Sequence, residues 1–208
     1  MIWTALALMV SLGTPAAIHR EALSQLEAGR YGEAEKLCQD AIPGFEGFYG
    51  PETLEVALVL ADMAAAYRGE GNLTEAERAA QRSLSIVEQK LGPEDANTAL
   101  AMDQLAEIYF DAHRYGVAGR LLHRALETGE HALGPDHPHV ATILNDLAAV
   151  DFVQVHYAAA ERLYRRALAI REKLLGPDHP HVLIIRHNLA ELERAWGPRQ
   201  GTVLAFTR

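Results

Sequence analysis

Two histidine pairs are the residues whose type and spacing most suggest chemistry. His137 and His139 flank a proline, and His179 and His181 repeat this arrangement 42 residues later. Imidazole nitrogens this close together could ligate a metal ion, but a structural site needs four protein ligands. Neither pair has a cysteine, a glutamate or a third histidine at ligand spacing. The sequence therefore predicts no metal site, and a metal-binding accessory protein stays only an alternative.

The sequence also lacks the patterns of nucleophilic and phosphate chemistry. Ser24, Ser83 and Ser85 are not in the Gly-x-Ser-x-Gly context of a nucleophile elbow. The glycines fall at expected helix ends and turns rather than in a phosphate-binding loop. The single cysteine, Cys38, excludes an intramolecular disulfide, and we expect a buried, inert thiol there. We therefore predict neither catalysis nor a cofactor.

A glycine–proline pair divides the chain into units of equal length. The pairs stand 42 residues apart, at Gly50-Pro51, Gly92-Pro93, Gly134-Pro135 and Gly176-Pro177. Alanine keeps the same period at Ala22, Ala64, Ala106, Ala148 and Ala190, and again at Ala34, Ala76, Ala118 and Ala160. Several registers in step indicate a repeat protein, and stacked repeats offer an extended binding surface rather than a catalytic pocket.

Each unit is predicted to contain two helices joined by a short turn. In the fourth unit, apolar residues recur at helical spacing over 140–148 and again over 157–175. Gly176 then stands where a helix ends, and the following proline cannot continue it. In the first unit, Pro43-Gly44 predicts a break in the second helix. Strand-like alternation occurs only at 202–206, so we predict an all-α chain.

The residue pattern selects among the architectures that have a period near 42. HEAT and armadillo arrays and some β-propellers come close, but an alanine-rich helical pattern excludes the propeller. The first-helix segment Leu105-Ala106-Glu107-Ile108-Tyr109 and the second-helix segment 160–167, which has Ala160, Tyr164 and Ala167, match the tetratricopeptide signature. Alanines at helix contacts allow the axes to approach closely.

The linker makes this resemblance more specific. Segments 133–140 and 175–182 both read Leu-Gly-Pro-Asp-His-Pro-His-Val. They resemble the long tetratricopeptide repeat of kinesin light chains and their bacterial relatives, and the resemblance covers about residues 18–196. It implies a right-handed superhelical α-solenoid of antiparallel helix pairs that binds peptide segments of other proteins on its concave side. It does not imply kinesin biology.

The repeat register predicts four helix pairs and a C-terminal capping helix. We expect units at about 18–50, 51–92, 93–134 and 135–176, a capping helix at 178–196 and a flexible tail at 197–208. Residues 1–17 form an apolar run that ends in small residues, the layout of a secretory signal cleaved after Ala16. A cleaved signal implies an exported or periplasmic protein. The alternative is an N-terminal helix that covers the first repeat of a cytoplasmic protein.

Composition narrows the range of partners. With 208 residues, of which 49% are hydrophobic, one domain accounts for the whole chain. The formal net charge of −9 argues against nucleic acid, because phosphate contacts need a basic surface. The apolar run at the N-terminus is too short to span a bilayer stably, so we expect no integral membrane span in the mature chain.

The resemblance places a binding groove along the first helices of the units. Eight residues are predicted to contact a partner there: Asp103, Glu107, Phe110, Asn145, Phe152, His187, Asn188 and Glu191. The amides would hydrogen-bond a peptide backbone, and the phenylalanines would receive apolar side chains. The carboxylates favour a neutral or basic ligand, although they could equally be solvated helix faces.

Some features of the family are only partly present. The asparagine pair of the first helix keeps one member in Asn145-Asp146 and the other in His187-Asn188. No lysine occupies an inward position, so we do not expect capture of a C-terminal carboxylate. A protein or peptide is therefore the expected partner. The alternative is a homodimer, in which the apolar edge of the weak first repeat pairs with a second copy.

Overall fold

Helices follow one another along the whole of residues 13–197, the part that the computed structural model describes. This part contains nine α-helices and no β-strand. In chain order they are α1 Pro15–Glu27, α2 Tyr31–Tyr49, α3 Leu54–Gly69, α4 Leu73–Leu91, α5 Ala96–Asp111, α6 Tyr115–Leu133, α7 Pro138–Val153, α8 Tyr157–Leu175 and α9 Pro180–Trp196. The expected strand-like segment 202–206 and most of the 197–208 tail lie outside the described residues.

The helix ends follow from the glycine–proline period. Gly134 ends α6 with φ of 89°, a conformation that costs a residue without Cβ little, and its N–H donates to the carbonyl of Glu130. Three residues later His137 caps α7, because its Nδ1 accepts the N–H of His139 at 3.2 Å and Pro138 supplies the first helical position. The same ending and the same cap recur one period later at α8 and α9.

The helices pair as α1–α2, α3–α4, α5–α6 and α7–α8, and α9 packs against α8. The periodic alanines lie at these contacts. Ala22, Ala64, Ala106 and Ala148 on the first helices, and Ala34, Ala76, Ala118 and Ala160 on the second helices, are all buried. The fold is therefore the predicted all-α, right-handed solenoid of antiparallel helix pairs with a final single helix.

The junctions between units repeat one ion pair. A glutamate near the end of each of the first three second helices accepts from an arginine on the next second helix, in the pairs Glu46–Arg82, Glu88–Arg124 and Glu130–Arg166 at 2.6, 3.2 and 2.5 Å. These pairs explain why glutamate keeps the period of the repeat. Their partly exposed positions make them orienting contacts rather than large contributors to stability.

The expected break at Pro43-Gly44 is wrong, because α2 runs without interruption through both residues. Pro43 removes one backbone hydrogen bond, but the buried side chains of Ala41 and Phe45 hold the helix in the core on either side. Gly44 serves packing, since a Cβ there would collide with the ring of Pro15 on α1. Tertiary burial overrides the local helix-breaking preference.

Most of the apolar run predicted at residues 1–17 cannot be compared with the structure, because residues 1–12 lie outside the described part. Thr14 caps α1 by accepting the N–H of Ala17 at 3.2 Å. Cleavage after Ala16 would remove this cap together with the first turn. Among the described helices, none is long and apolar enough to cross a membrane.

At the other end, α9 has one covered side and one open side. Val182, Ile185 and Leu192 are buried against the preceding helices. Ala190 is exposed, although its counterpart Ala148 in the fourth unit is fully buried. The difference arises because the described chain has no second helix after α9.

Candidate functional site

The first helices of consecutive units (α1, α3, α5, α7 and α9) lie side by side. They meet through side chains that are 43 residues apart in the sequence, one residue more than the 42-residue period. We call the four such pairs at one register the polar row: His19–Asp62, Ala61–Gln104, Asp103–Asp146 and Asn145–Asn188. In the first pair the histidine Nε2 and a carboxylate oxygen are 2.7 Å apart. In the last pair Asn188 Nδ2 donates to Asn145 Oδ1 at 3.0 Å. The row runs along the face where the groove is predicted.

The predicted amide contacts are therefore already engaged within the protein. Asn145 accepts from Asn188 and donates its own Nδ2 to Asp146 Oδ1 at 3.0 Å. An amide nitrogen has two hydrogens, so each asparagine keeps one for a ligand. The structure thus brings two of the eight predicted residues into direct contact and holds them in fixed orientations.

The two predicted phenylalanines are half-buried rather than open. The ring of Phe110 packs edge-on against Tyr115 at 5.2 Å between centroids. One unit further on, Phe152 packs against the ring of Tyr157 in a tilted arrangement at 5.8 Å between centroids. Each tyrosine opens the second helix of its unit, so only part of each phenylalanine ring can meet a ligand.

His187 and Glu191 lie on the exposed side of α9, apart from the other six. His187 Nε2 is 3.7 Å from Glu191 Oε1, and Arg194 Nη2 is 2.5 Å from the same oxygen. These contacts join neighbouring turns of one helix at its surface. They leave the two side chains accessible but do not connect them to the polar row.

An arginine that the sequence did not single out as a site residue bridges two first helices. Arg68 on α3 donates from Nη1 to Glu107 and from Nε to Asp111, both on α5. Its separation from Asp111 is again 43 residues, so a search for opposite charges one residue beyond the period would have found the pair. Burial raises the pKa of Glu107, and Arg68 opposes this rise.

Asp103 and Asp146 form the third pair of the polar row, and their carboxyl groups carry like charges when both are ionised. Asp103 is only 5% exposed, so it is not a residue of a solvated helix face. Burial raises the pKa of Asp146 to about 7, and the Glu107 charge adds to the rise. Burial, followed by the charges of Asp146 and Glu107, raises the pKa of Asp103 well above its usual range.

Two cavities adjoin the row. One of about 290 Å³ lies between α3 and α5 and is mostly apolar. Its lining includes Leu58, which is 59% exposed, together with Leu100 and Gln104. The other, of about 190 Å³, is lined by Arg68, Ala106, Glu107, Phe110, Asp111, Leu122, Asp146, Ala149 and Val150. The helix α5 thus lines both an apolar and an acidic cavity.

The residues considered for chemistry have structural roles. Within 13–197, no group of three or more histidine, cysteine or carboxylate side chains could hold a metal ion. His137 and His179 cap helices through Nδ1. Burial raises the pKa of Cys38 to about 12, which keeps it a thiol, and Ser83 donates to the carbonyl of Ala57 at 2.7 Å.

Comparison with protein families agrees with this architecture. One tetratricopeptide repeat model matches residues 140–181, and a second matches residues 14–89, 55–118 and 97–156. Together they span most of the chain. The chain belongs to the tetratricopeptide repeat family. Proteins with this fold generally serve as scaffolds for protein–protein interaction and are typically non-catalytic. A search of curated proteins gave no match.

Solved structures of tetratricopeptide proteins are similar over nearly the whole chain. A kinesin light chain protein of Podospora anserina with nearly identical TPR-like repeats is 23% identical, with a TM-score of 0.75 and coverage of 91% of this chain and 90% of that one. BtubC (BKLC) of P. vanneervenii is 19% identical, with a TM-score of 0.70 and coverage of 99% and 92%. PilF of Pseudomonas aeruginosa is 16% identical, with a TM-score of 0.63 and coverage of 88% and 70%. At these identities the likeness establishes the fold.

Proposed function

We propose that this chain is a non-catalytic scaffold that binds an extended segment of a partner protein along its first helices. The observation that carries the proposal is the pair of cavities, one apolar and one acidic, that α5 helps to line beside the polar row. Leu58 is exposed in a concave, mostly apolar cavity, where it can contact an apolar side chain of the partner. The free amide hydrogens of Asn145 and Asn188 can meet a peptide backbone further along the row.

Selection of random displayed peptides on the immobilised full chain tests this function. We expect the chain to enrich peptides that share a short motif, and Leu58→Lys to weaken their binding by at least about 30-fold, as loss of an interface anchor does. Fluorescence polarisation of the labelled peptides measures the affinities.

A matched control is available in Leu174, a 47% exposed leucine near the end of α8. Leu174→Lys makes the same change of charge and size away from both cavities, and we expect it to bind the selected peptides like the parent. Circular dichroism checks that both variants are folded. If the Leu58→Lys variant binds the selected peptides as tightly as the parent does, binding along the first helices is refuted.

Self-association is a second candidate because the first unit leaves aromatic rings uncovered. Phe48 is 76% exposed, and with Tyr49 it borders a largely apolar pocket that residues 13–16 complete. Large exposed aromatic groups beside an apolar pocket are typical of interaction surfaces. Two copies could bury these rings against each other.

Sedimentation velocity distinguishes this candidate. If the rings form a homodimer, the parent sediments as a dimer at micromolar concentration, and Phe48→Ser raises the dissociation constant by about tenfold or more. The Leu174→Lys variant, altered at the opposite end of the chain, is expected to dimerise like the parent. A parent that stays monomeric over the whole concentration series excludes this homodimer.

A further inference from the structure

The Asp103–Asp146 pair is the member of the polar row that brings two groups of like charge together. His19 and Asp62 hydrogen-bond each other at one end of the row, and Asn145 and Asn188 do so at the other. Asp103 and Asp146 occupy the equivalent positions between them. Two carboxylates cannot donate to each other when both are ionised, so this pair needs a proton or a cation to complete it.

The oxygen atoms of this pair have unused hydrogen-bonding capacity. Within residues 13–197, no protein group donates to Oδ1 of Asp103 or to Oδ2 of Asp146, and both atoms are buried. A buried carboxylate oxygen without a donor costs free energy, and native proteins rarely tolerate it without a purpose. Asp146 also lines the acidic cavity of about 190 Å³, which places one of these groups at the surface that a ligand would meet.

The charges around the pair leave an excess of negative charge. Four carboxyl groups interact here, those of Asp103, Glu107, Asp111 and Asp146, against two guanidinium groups, those of Arg68 and Arg171. Arg68 is already bound to Glu107 and Asp111, and Arg171 donates to Thr142 at 2.6 Å. Neither guanidinium donates to the two unpartnered oxygens.

We propose that the Asp103–Asp146 pair and the acidic cavity that Asp146 lines bind the guanidinium group of an arginine in the partner segment. The proposal rests on the proposed function and specifies the partner's chemistry. A guanidinium is less strongly hydrated than an ammonium and presents several N–H donors in a fixed plane, which suits two neighbouring carboxylates. Phe110, which lines the same cavity, offers an apolar surface for the arginine stem. The volume suits one side chain rather than a whole small-molecule ligand.

A proton competes with this guest. The charged and titratable groups that interact with the pair are Arg68 on α3, Glu107 on α5, and Tyr164 and Arg171 on α8, and Asp111 acts on Glu107 in turn. Because burial raises the pKa of Asp146 to about 7, its carboxyl gains a proton as the pH falls below neutrality. Binding of a cation therefore strengthens as the pH rises from 6 to 8.

Titration of the ¹⁵N-labelled full chain with N-acetyl-arginine amide tests the proposal by NMR. At pH 8 we expect shifts of the backbone amides around Asp103, Asp146 and Phe110. The neutral isostere N-acetyl-citrulline amide is expected to bind about tenfold more weakly, since it lacks the charge-assisted hydrogen bonds. The arginine probe itself is expected to bind about tenfold more weakly at pH 6 than at pH 8.

Two isosteric variants and one control keep the test decisive. Asp146→Asn and Asp103→Asn are each expected to abolish the preference for arginine over citrulline, and Asp146→Asn is also expected to weaken the pH dependence between pH 6 and pH 8. Asp40→Asn, at an exposed position of α2, is expected to leave both unchanged. Equal binding of the two probes to the parent, or an unchanged preference in both variants, overturns the proposal. Tighter binding of N-acetyl-lysine amide overturns the assignment to a guanidinium.

The outcome is separable from that of the proposed function. Selected peptides that bind through Leu58 while the arginine probe fails would leave the scaffold standing and remove the arginine site. If the arginine probe binds at Asp146 while no displayed peptide is enriched, the arginine site stands and the scaffold function is removed.

Discussion

Asp146→Asn is expected to stabilise the folded chain at pH 8 and to change its stability little near pH 4. In the folded chain the pKa of Asp146 rises from 3.8 to about 7, because the carboxyl is buried and faces Glu107. Between these two values the folded state holds a proton that the unfolded state has released. Folding stability therefore falls as the pH rises through this window, the reverse of the usual behaviour of a salt-bridged aspartate.

The magnitude follows from the size of the shift. A rise from 3.8 to about 7 corresponds to about 4 kcal/mol of stability lost between acid and pH 8, at about 1.4 kcal/mol per pKa unit. Asparagine has nearly the same shape and no charge, so Asp146→Asn avoids this loss. We expect its advantage over the parent, measured by urea unfolding, to grow from near zero at pH 4 to several kcal/mol at pH 8.

Comparison of variants isolates this group from the other ionisable side chains. Asp40→Asn changes an exposed aspartate and is expected to give a difference from the parent that does not vary with pH. If Asp146→Asn gives an equally flat difference, burial does not raise the pKa of Asp146 in the folded chain. The stability and probe-binding experiments test one common cause, since the buried Asp146 carboxyl, whose Oδ2 has no donor, is the source of both expected effects.

The fold was predictable because the same local sequence signals recur in each repeat unit. Each glycine–proline pair ends a helix, and every periodic alanine except Ala190 on the last helix is buried at a helix contact. The prediction failed at Pro43, where the local signal was strong but the burial of Phe45 and the approach of Pro15 depend on residues far along the chain. Local preference cannot reveal such tertiary compensation.

The candidate site was harder to predict. The 42-residue period shows which residues occupy equivalent positions in different units, but it does not show which side chains touch. It showed that Asp103, Asn145 and His187 share a position in their units. It did not show that each first helix meets the next at an offset of 43, which pairs Asn145 with Asn188 and brings Arg68 to Asp111. Nor did it show that Phe110 packs against Tyr115 across the turn of its own unit. These facts depend on the angle between helices.

The second large effect is expected from substitutions at two equivalent alanines near the last described helix, one of which serves as the control for the other. Ala148 on α7 and Ala190 on α9 are the same residue at the same position of successive units. Ala148 is fully buried in a cluster with Ala160 and Tyr164 of α8, whereas Ala190 is exposed. Ala148→Leu must therefore force α7 and α8 apart, at a cost of about 3 kcal/mol.

Ala190→Leu is expected to change the free energy of unfolding by less than about 0.5 kcal/mol, because its side chain extends into solvent. Urea unfolding of the two variants beside the parent measures both effects. A large loss of folding stability in Ala190→Leu as well would contradict the exposure of this side of α9. A leucine can be costly there only if another part of the molecule covers that surface. The sequence register alone predicts equal effects at the two positions, so the size of the difference measures what a following second helix, such as α8 after α7, contributes to the buried environment of this alanine.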